Sequence, residues 1–144
     1  MTTQTAAKLY SPALLGLATG LADYPLDPAL PLIAEARSRS CGSVITIGLA
    51  LEQAGPVSQI GMKVSACAIG QASAALLARS AIGTDPDQII RTAEGLDQWL
   101  SGEGELPRWP GIEALTPALA HPGRHGALLL PWKAACQALS HATR

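Results

Sequence analysis

The sequence predicts an α+β fold: a three-stranded antiparallel meander packed by helices on one side, in a single domain. Three observations predict it. Runs rich in β-branched residues cluster between residues 32 and 66 and are separated by short turn-forming stretches. From residue 68 onward, apolar residues recur at helical spacing. The chain has 144 residues, 48% of them hydrophobic, which suits one core rather than two.

Residues 1–8 form a loose polar tail, so the domain spans residues 9–144. Residues 9–22, with Leu14, Leu15, Leu17 and Leu21, allow a short helix, and Pro12 sits in its first turn, where proline is tolerated. Pro25, Pro28 and Pro31 then deny both helix and ladder and mark a loop. Leu32–Arg39 alternates weakly. Val44–Glu52 carries Val44, Ile45, Thr46, Ile47, Leu49 and Leu51. Val57–Ala66 carries Val57, Ile60, Met62 and Val64. Gln53-Ala54-Gly55-Pro56 is a turn between the last two strands. Ala68–Ile82 is a helix of small residues closed by Gly83. Asp85-Pro86-Asp87-Gln88 opens the next helix, with Asp85 as N-cap and Pro86 at the first helical position. Ile89, Ile90, Ala93, Leu96 and Leu100 give it an apolar face. Residues 101–111 are a loop, Ile112–Ala120 a short helix containing Pro117, and Ala127–His141 the last helix, with Pro131 in its first turns.

Composition narrows the function. Phe is absent and aromatics are only 3%, so the core is Ala, Leu, Ile and Val, with elements drawn close together. The net charge is −1 and no Lys/Arg run occurs, so no nucleic acid is expected as partner. No apolar stretch approaches a membrane span, and Met1 to Lys8 lacks the apolar core of a secretory signal. Three cysteines are an odd number, without the density of a secreted disulfide scaffold. These features point to a reducing, cytoplasmic setting with thiols free or ligating.

The cysteines hold the chemistry. Cys41 opens Cys41-Gly42-Ser43 at a bend between strands, and Cys67 ends a strand and starts a helix. A helix N-terminus lowers a thiol pKa, and the thiolate is the form that binds metal or attacks sulfur. A meander can bring both to one end of the sheet, which suggests one metal or sulfur site. The bland reading is that free cysteines are small buried apolar residues. It fits Cys136, which lies inside a helix in apolar register. Of His121, His125 and His141, His125 is placed to face the site, after a Pro-Gly break and before a helix. Soft thiolates with an imidazole suit zinc or iron–sulfur chemistry. No dinucleotide fingerprint, P-loop or nucleophile elbow is present. The tryptophans of Arg108-Trp109-Pro110 and Pro131-Trp132-Lys133 are expected to pack against the helical layer.

Ser40-Cys41-Gly42-Ser43 and Val64-Ser65-Ala66-Cys67-Ala68-Ile69-Gly70-Gln71-Ala72-Ser73 together resemble the NifU/IscU/SufU-type iron–sulfur cluster assembly scaffolds. In those proteins Cys-Gly-Asp follows the first strand, and Gly-Cys-Ala-Ile-Ser-x-Ala-Ser opens a helix after a hairpin. Arg124-His125-Gly126-Ala127-Leu128-Leu129-Leu130-Pro131-Trp132-Lys133-Ala134 looks like their third motif, Arg-x-x-Cys-x-x-Leu-x-Trp-x-Ala. The resemblance covers residues 9 to 140 and implies a meander backed by helices. Cys41 and Cys67 match the cysteine ligands, and His125 matches a polar position before the third cysteine. That third cysteine is placed at Gly126, and the aspartate at Ser43. Cys136 lies about 15 Å further along a helix and is a poor substitute.

The resemblance implies a divergent scaffold or carrier rather than a turnover enzyme. A cysteine desulfurase would pass persulfide sulfur to a thiolate, iron would join it, and the transient iron–sulfur cluster would go to acceptor apoproteins. Cys41, Cys67 and His125 would be the ligands, and a homodimer sharing a cluster stays open. The alternative is a degenerate member acting as a zinc-binding or protein-interaction module. A thiol-transfer enzyme is disfavoured, because no general base is identifiable beside either cysteine.

Overall fold

The computed structural model describes residues 10–39, 42–53 and 55–143. The predicted N-terminal tail falls outside them. Ser11 opens the first helix, α1 (Pro12–Gly20), its side-chain oxygen accepting from the Leu14 N–H at 3.2 Å, with Pro12 in the first turn. A 3₁₀ turn, Leu21–Asp23, follows. The sheet comprises β1 (Leu32–Arg37), β2 (Val44–Leu51) and β3 (Val57–Ser65), in that order and antiparallel throughout. Each strand stops one or two residues short of its expected end. Registers of Ala36 with Ile45 and of Ile45 with Val64 run across the meander. Ser58 is an extra residue opposite the Ala50/Leu51 step, a bulge beside the turn that closes the β2–β3 hairpin.

Ala34, Ala36, Ile45, Ile47, Leu49 and Met62 form the buried face of the sheet. Helix α4 (His125–Ser140) lies across β1 and β2, and α2 (Ala68–Ala81) packs beside it near β3. Helix α1 covers α2, and α3 (Pro86–Leu100) covers α4. Helix α2 is buried almost all round, as expected for a helix walled in by other elements. Its buried Ala72, Ala74, Ala75, Ala78 and Ala81, with the buried Ala134, Ala135 and Ala138 of the neighbouring α4, let a core without Phe fill by close approach. Asp85 caps α3 by accepting from the Asp87 N–H at 2.9 Å, and Pro86 follows, as the sequence predicts.

Residues 112–120 are 3₁₀ throughout rather than α-helical. Pro117 has no N–H to give to the fourth carbonyl back, which removes an α-type bond at the middle of the run. The last helix starts at His125, two residues earlier than predicted, and runs through Pro131. Both tryptophans named by the sequence are buried. Trp109 and Trp132 meet edge to face, with ring centroids 5.0 Å apart.

The proline loop also has a task. The Met62 N–H donates to the Tyr24 carbonyl at 2.9 Å, so the chain crosses the edge of β3 and lies over the outer face of the sheet. A side chain at Gly61 would strike the Pro25 carbonyl oxygen, and one at Gly48 would come within 2.9 Å of Leu30 Cδ1. Glycine in these strands is the condition for that strap. Among the described residues no helix is long and apolar enough to cross a membrane.

Candidate functional site

The site is built where the ends of strands and helices converge. Val44 pairs with Ser65, so the β1–β2 turn and the end of β3 lie at one end of the sheet. In that turn the Ser38 N–H donates to the Ser43 carbonyl at 2.9 Å, and the Gly42 N–H to the Ser38 carbonyl at 3.2 Å. Gly42 has φ +71°, a left-handed conformation that glycine adopts without strain. Cys41 itself lies outside the described residues, but its described neighbours Arg39 and Gly42 belong to this turn. Ser43, which closes this turn, is buried.

Two residues beyond β3, Cys67 is the N-cap of α2 in an extended conformation (φ −67°, ψ 173°). Its carbonyl accepts from the Gln71 N–H at 2.9 Å, while its side chain makes no capping bond. The Gln71 side chain closes the same turn by donating to the Ala66 carbonyl at 2.9 Å. Cys67 is half-buried and free of any disulfide. The thiol is therefore presented at a helix start, and neither capping nor cross-linking consumes it.

Helix α4 begins against this turn. A side chain at Gly70 would lie 3.3 Å from the Ala127 carbonyl oxygen and 3.5 Å from Ala127 Cβ, so the first turns of α2 and α4 touch. Pro131 lacks the N–H that would have bonded the Ala127 carbonyl four residues back, leaving that oxygen turned to the Gly70 backbone. One turn further in, Ser73 Oγ donates to the Leu128 carbonyl at 2.6 Å and accepts from Trp132 Nε1 at 3.0 Å. These contacts clamp the two helix starts together.

His125 is the first residue of α4. Its Nε2 lies 3.1 Å from both the Ala118 and the Leu119 carbonyl oxygens. With two carbonyl acceptors there, Nε2 carries a proton, and in the neutral ring the lone pair sits on Nδ1. An imidazole anchored by one ring N–H on a backbone carbonyl is the arrangement seen in metal-ligating histidines. The sequence could not reveal this bond, because the carbonyls come from the end of the preceding 3₁₀ run.

Two sequence expectations need correction. Counted from Arg124 and Trp132, the cysteine position of the third motif falls on Ala127, not Gly126. Ala127 is buried against α2, whereas Gly126 is half-buried one residue earlier. Either way no thiol stands there. Cys136 is not fully core: it is half-buried, and burial, helped by the Glu94 carboxylate, pushes its thiol pKa up. Among the described residues no group of three His, Cys, Asp or Glu side chains is close enough to hold a metal ion. The set of Cys41, Cys67 and His125 includes one residue outside them.

No family model matches the sequence, and no curated protein is significantly similar to it. Solved structures are similar. A nitrogen-fixing NifU-like protein (N-terminal) from Brucella abortus superposes with a TM-score of 0.87 at 24% identity, over 96% of this chain and 97% of that one. The chain has the NifU-like fold. A putative iron–sulfur cluster assembly scaffold protein for the SUF system, from Fervidobacterium islandicum AW-1, superposes with a TM-score of 0.81 at 19% identity, over 90% and 95% of the two chains. A hypothetical protein follows at a TM-score of 0.67 and 19% identity, over 88% and 96%. The α+β meander with helices on one side is thus the architecture of these neighbours.

Proposed function

We propose that this chain is a scaffold or carrier in iron–sulfur cluster assembly, holding a cluster transiently and passing it on. One juxtaposition carries the reading. The turn that contains Cys41 and the helix cap Cys67 lie at one end of the sheet, and the α4 start bearing His125 is clamped against the Cys67 helix. The fold shared with cluster-assembly scaffolds supports it.

The chemistry follows from the donors. The thiolate of Cys41 or Cys67 attacks the outer sulfur of a persulfide on a cysteine desulfurase, and the desulfurase thiolate leaves. A thiol-class two-electron reductant then cleaves the scaffold persulfide, releasing sulfide and restoring the thiolate, and iron binds that sulfide and the thiolates, with His125 Nδ1 as auxiliary ligand. Two thiolates and one imidazole leave a cluster one ligand short of the usual four. The last position falls to solvent or to a partner. Incomplete ligation suits cargo that must leave for an acceptor apoprotein. No step turns over a small substrate, so the role is that of a carrier.

A second reading is favoured by the absence of a thiol at Ala127 and of a carboxylate at Ser43. In it the chain keeps the fold as a zinc-binding or protein-interaction module. Native mass spectrometry after anaerobic incubation with iron and sulfide separates the two. A mass increment of iron plus sulfide, lost in Cys67→Ala, supports the scaffold. A single zinc per chain that Cys41→Ala removes supports the zinc module, and no metal in any preparation supports an interaction role.

A further inference from the structure

The geometry points to a second copy of this chain as the partner of the β1 edge, paired strand to strand in one register. The parity of the sheet is fixed by two bonds at opposite sides. Met62 donates its N–H away from β2, to Tyr24, so Gly61, Lys63 and Ser65 are the β3 residues bonded to β2. Ser38 bonds Ser43 across the β1–β2 turn, so Leu32, Ala34 and Ala36 are the β1 residues bonded to β2. Ile33, Glu35 and Arg37 therefore turn their N–H and C=O groups outward. Among the described residues these groups have no backbone partner. A row of unpaired groups on an edge strand is a template for another strand.

Charge selects the occupant and the register. Glu35 and Arg37 share the exposed outer face, with Arg37 Nε 2.9 Å from Glu35 Oε1. An antiparallel pairing of two β1 strands about a two-fold axis at Ala36 sets Glu35 of each copy opposite Arg37 of the other. Both outward rows of backbone groups then meet in hydrogen-bonding register. An axis at Glu35 or at Arg37 sets like charges face to face, and an axis at Ala34 sets each Glu35 against an apolar Ile33. Only the Ala36 axis is charge-matched, and it extends the two ion pairs into a four-charge cluster across the joint. The two β1–β2 turns then point away from the axis in opposite directions. Each copy keeps its own Cys41/Cys67 end, and the pair does not share a cluster.

Sedimentation velocity on the full chain tests this. One strand pair buries little area, so the wild type should dimerise weakly, with a dissociation constant on the order of 100 μM. Glu35→Arg alone and Arg37→Glu alone each set like charges opposite one another and should weaken dimerisation at least about tenfold. An equimolar mixture of the two variants restores both opposite-charge pairs and should recover the dimer. Glu35→Pro removes an outward N–H without touching the β1–β2 ladder, so it should abolish the dimer while melting like the wild type. A wild type still monomeric at roughly 0.5 mM overturns the proposal. So does a mixture that stays as weak as its components, or a Glu35→Pro protein that folds and dimerises normally.

Discussion

Ser73 is the polar centre of an otherwise apolar contact between α2 and α4. It donates to Leu128 and accepts from Trp132, and it is fully buried. Ser73→Ala leaves the indole N–H without its partner in the core. The expected loss is about 1–3 kcal/mol, read as a shift of the urea midpoint. At the site itself, Ala127→Cys adds a thiol against the first turn of α2, near Cys67. Zinc affinity should rise at least about tenfold by competition with a chromophoric chelator. Gly126→Cys, about 100° away around the helix, should give no such gain. Cys136 carries a pH dependence. Its folded pKa is raised, so its contribution to stability is fully present below the ordinary thiol range and is lost as pH rises through the folded value. The wild type should therefore lose stability on the alkaline side, and Cys136→Ala should lack that part of the decline in melts taken across pH.

Between elements, close approach sets the site. Gly70 lets α2 and α4 touch at their first turns. A side chain there would lie 2.8 Å from Ala66 Cβ and 3.3 Å from the Ala127 carbonyl oxygen. Gly70→Ala should push the helix starts apart and reduce metal retention more than it lowers the melting temperature. Gly61→Ala works at the far side of the sheet. Its Cβ meets the Pro25 carbonyl oxygen, so the strap must lift and Met62 loses its bond to Tyr24. The expected cost is about 1–3 kcal/mol, with the Cys67 end unaffected. Elements coded locally were legible in the sequence: the β-branched strands, the Asp85-Pro86 helix start and the cap at Cys67. In the sequence the strap shows only as a loop. Its signal was present in Gly48 and Gly61, strand glycines where another backbone lies close. The anchoring of His125 was not legible, because its partners at Ala118 and Leu119 are set by how the 3₁₀ run docks. Gly126 stands one residue before the motif's cysteine position, because the motif departs at its cysteine and only Arg124 and Trp132 fix its spacing.

For the whole molecule, a core of alanines and leucines backs a three-stranded sheet with the candidate site at one end and a strap across its outer face. The NifU-like fold gives the architecture, and the function turns on whether Cys41 and Cys67 act together on a cluster. The measurement that tests this most directly is anaerobic reconstitution with ferrous iron and sulfide, followed by visible absorption and labile-sulfide analysis. Charge-transfer absorption and bound sulfide are expected in the wild type, both lost in Cys67→Ala and in Cys41→Ala. A colourless wild type without labile sulfide, or an absorption unchanged by Cys67→Ala, would contradict it.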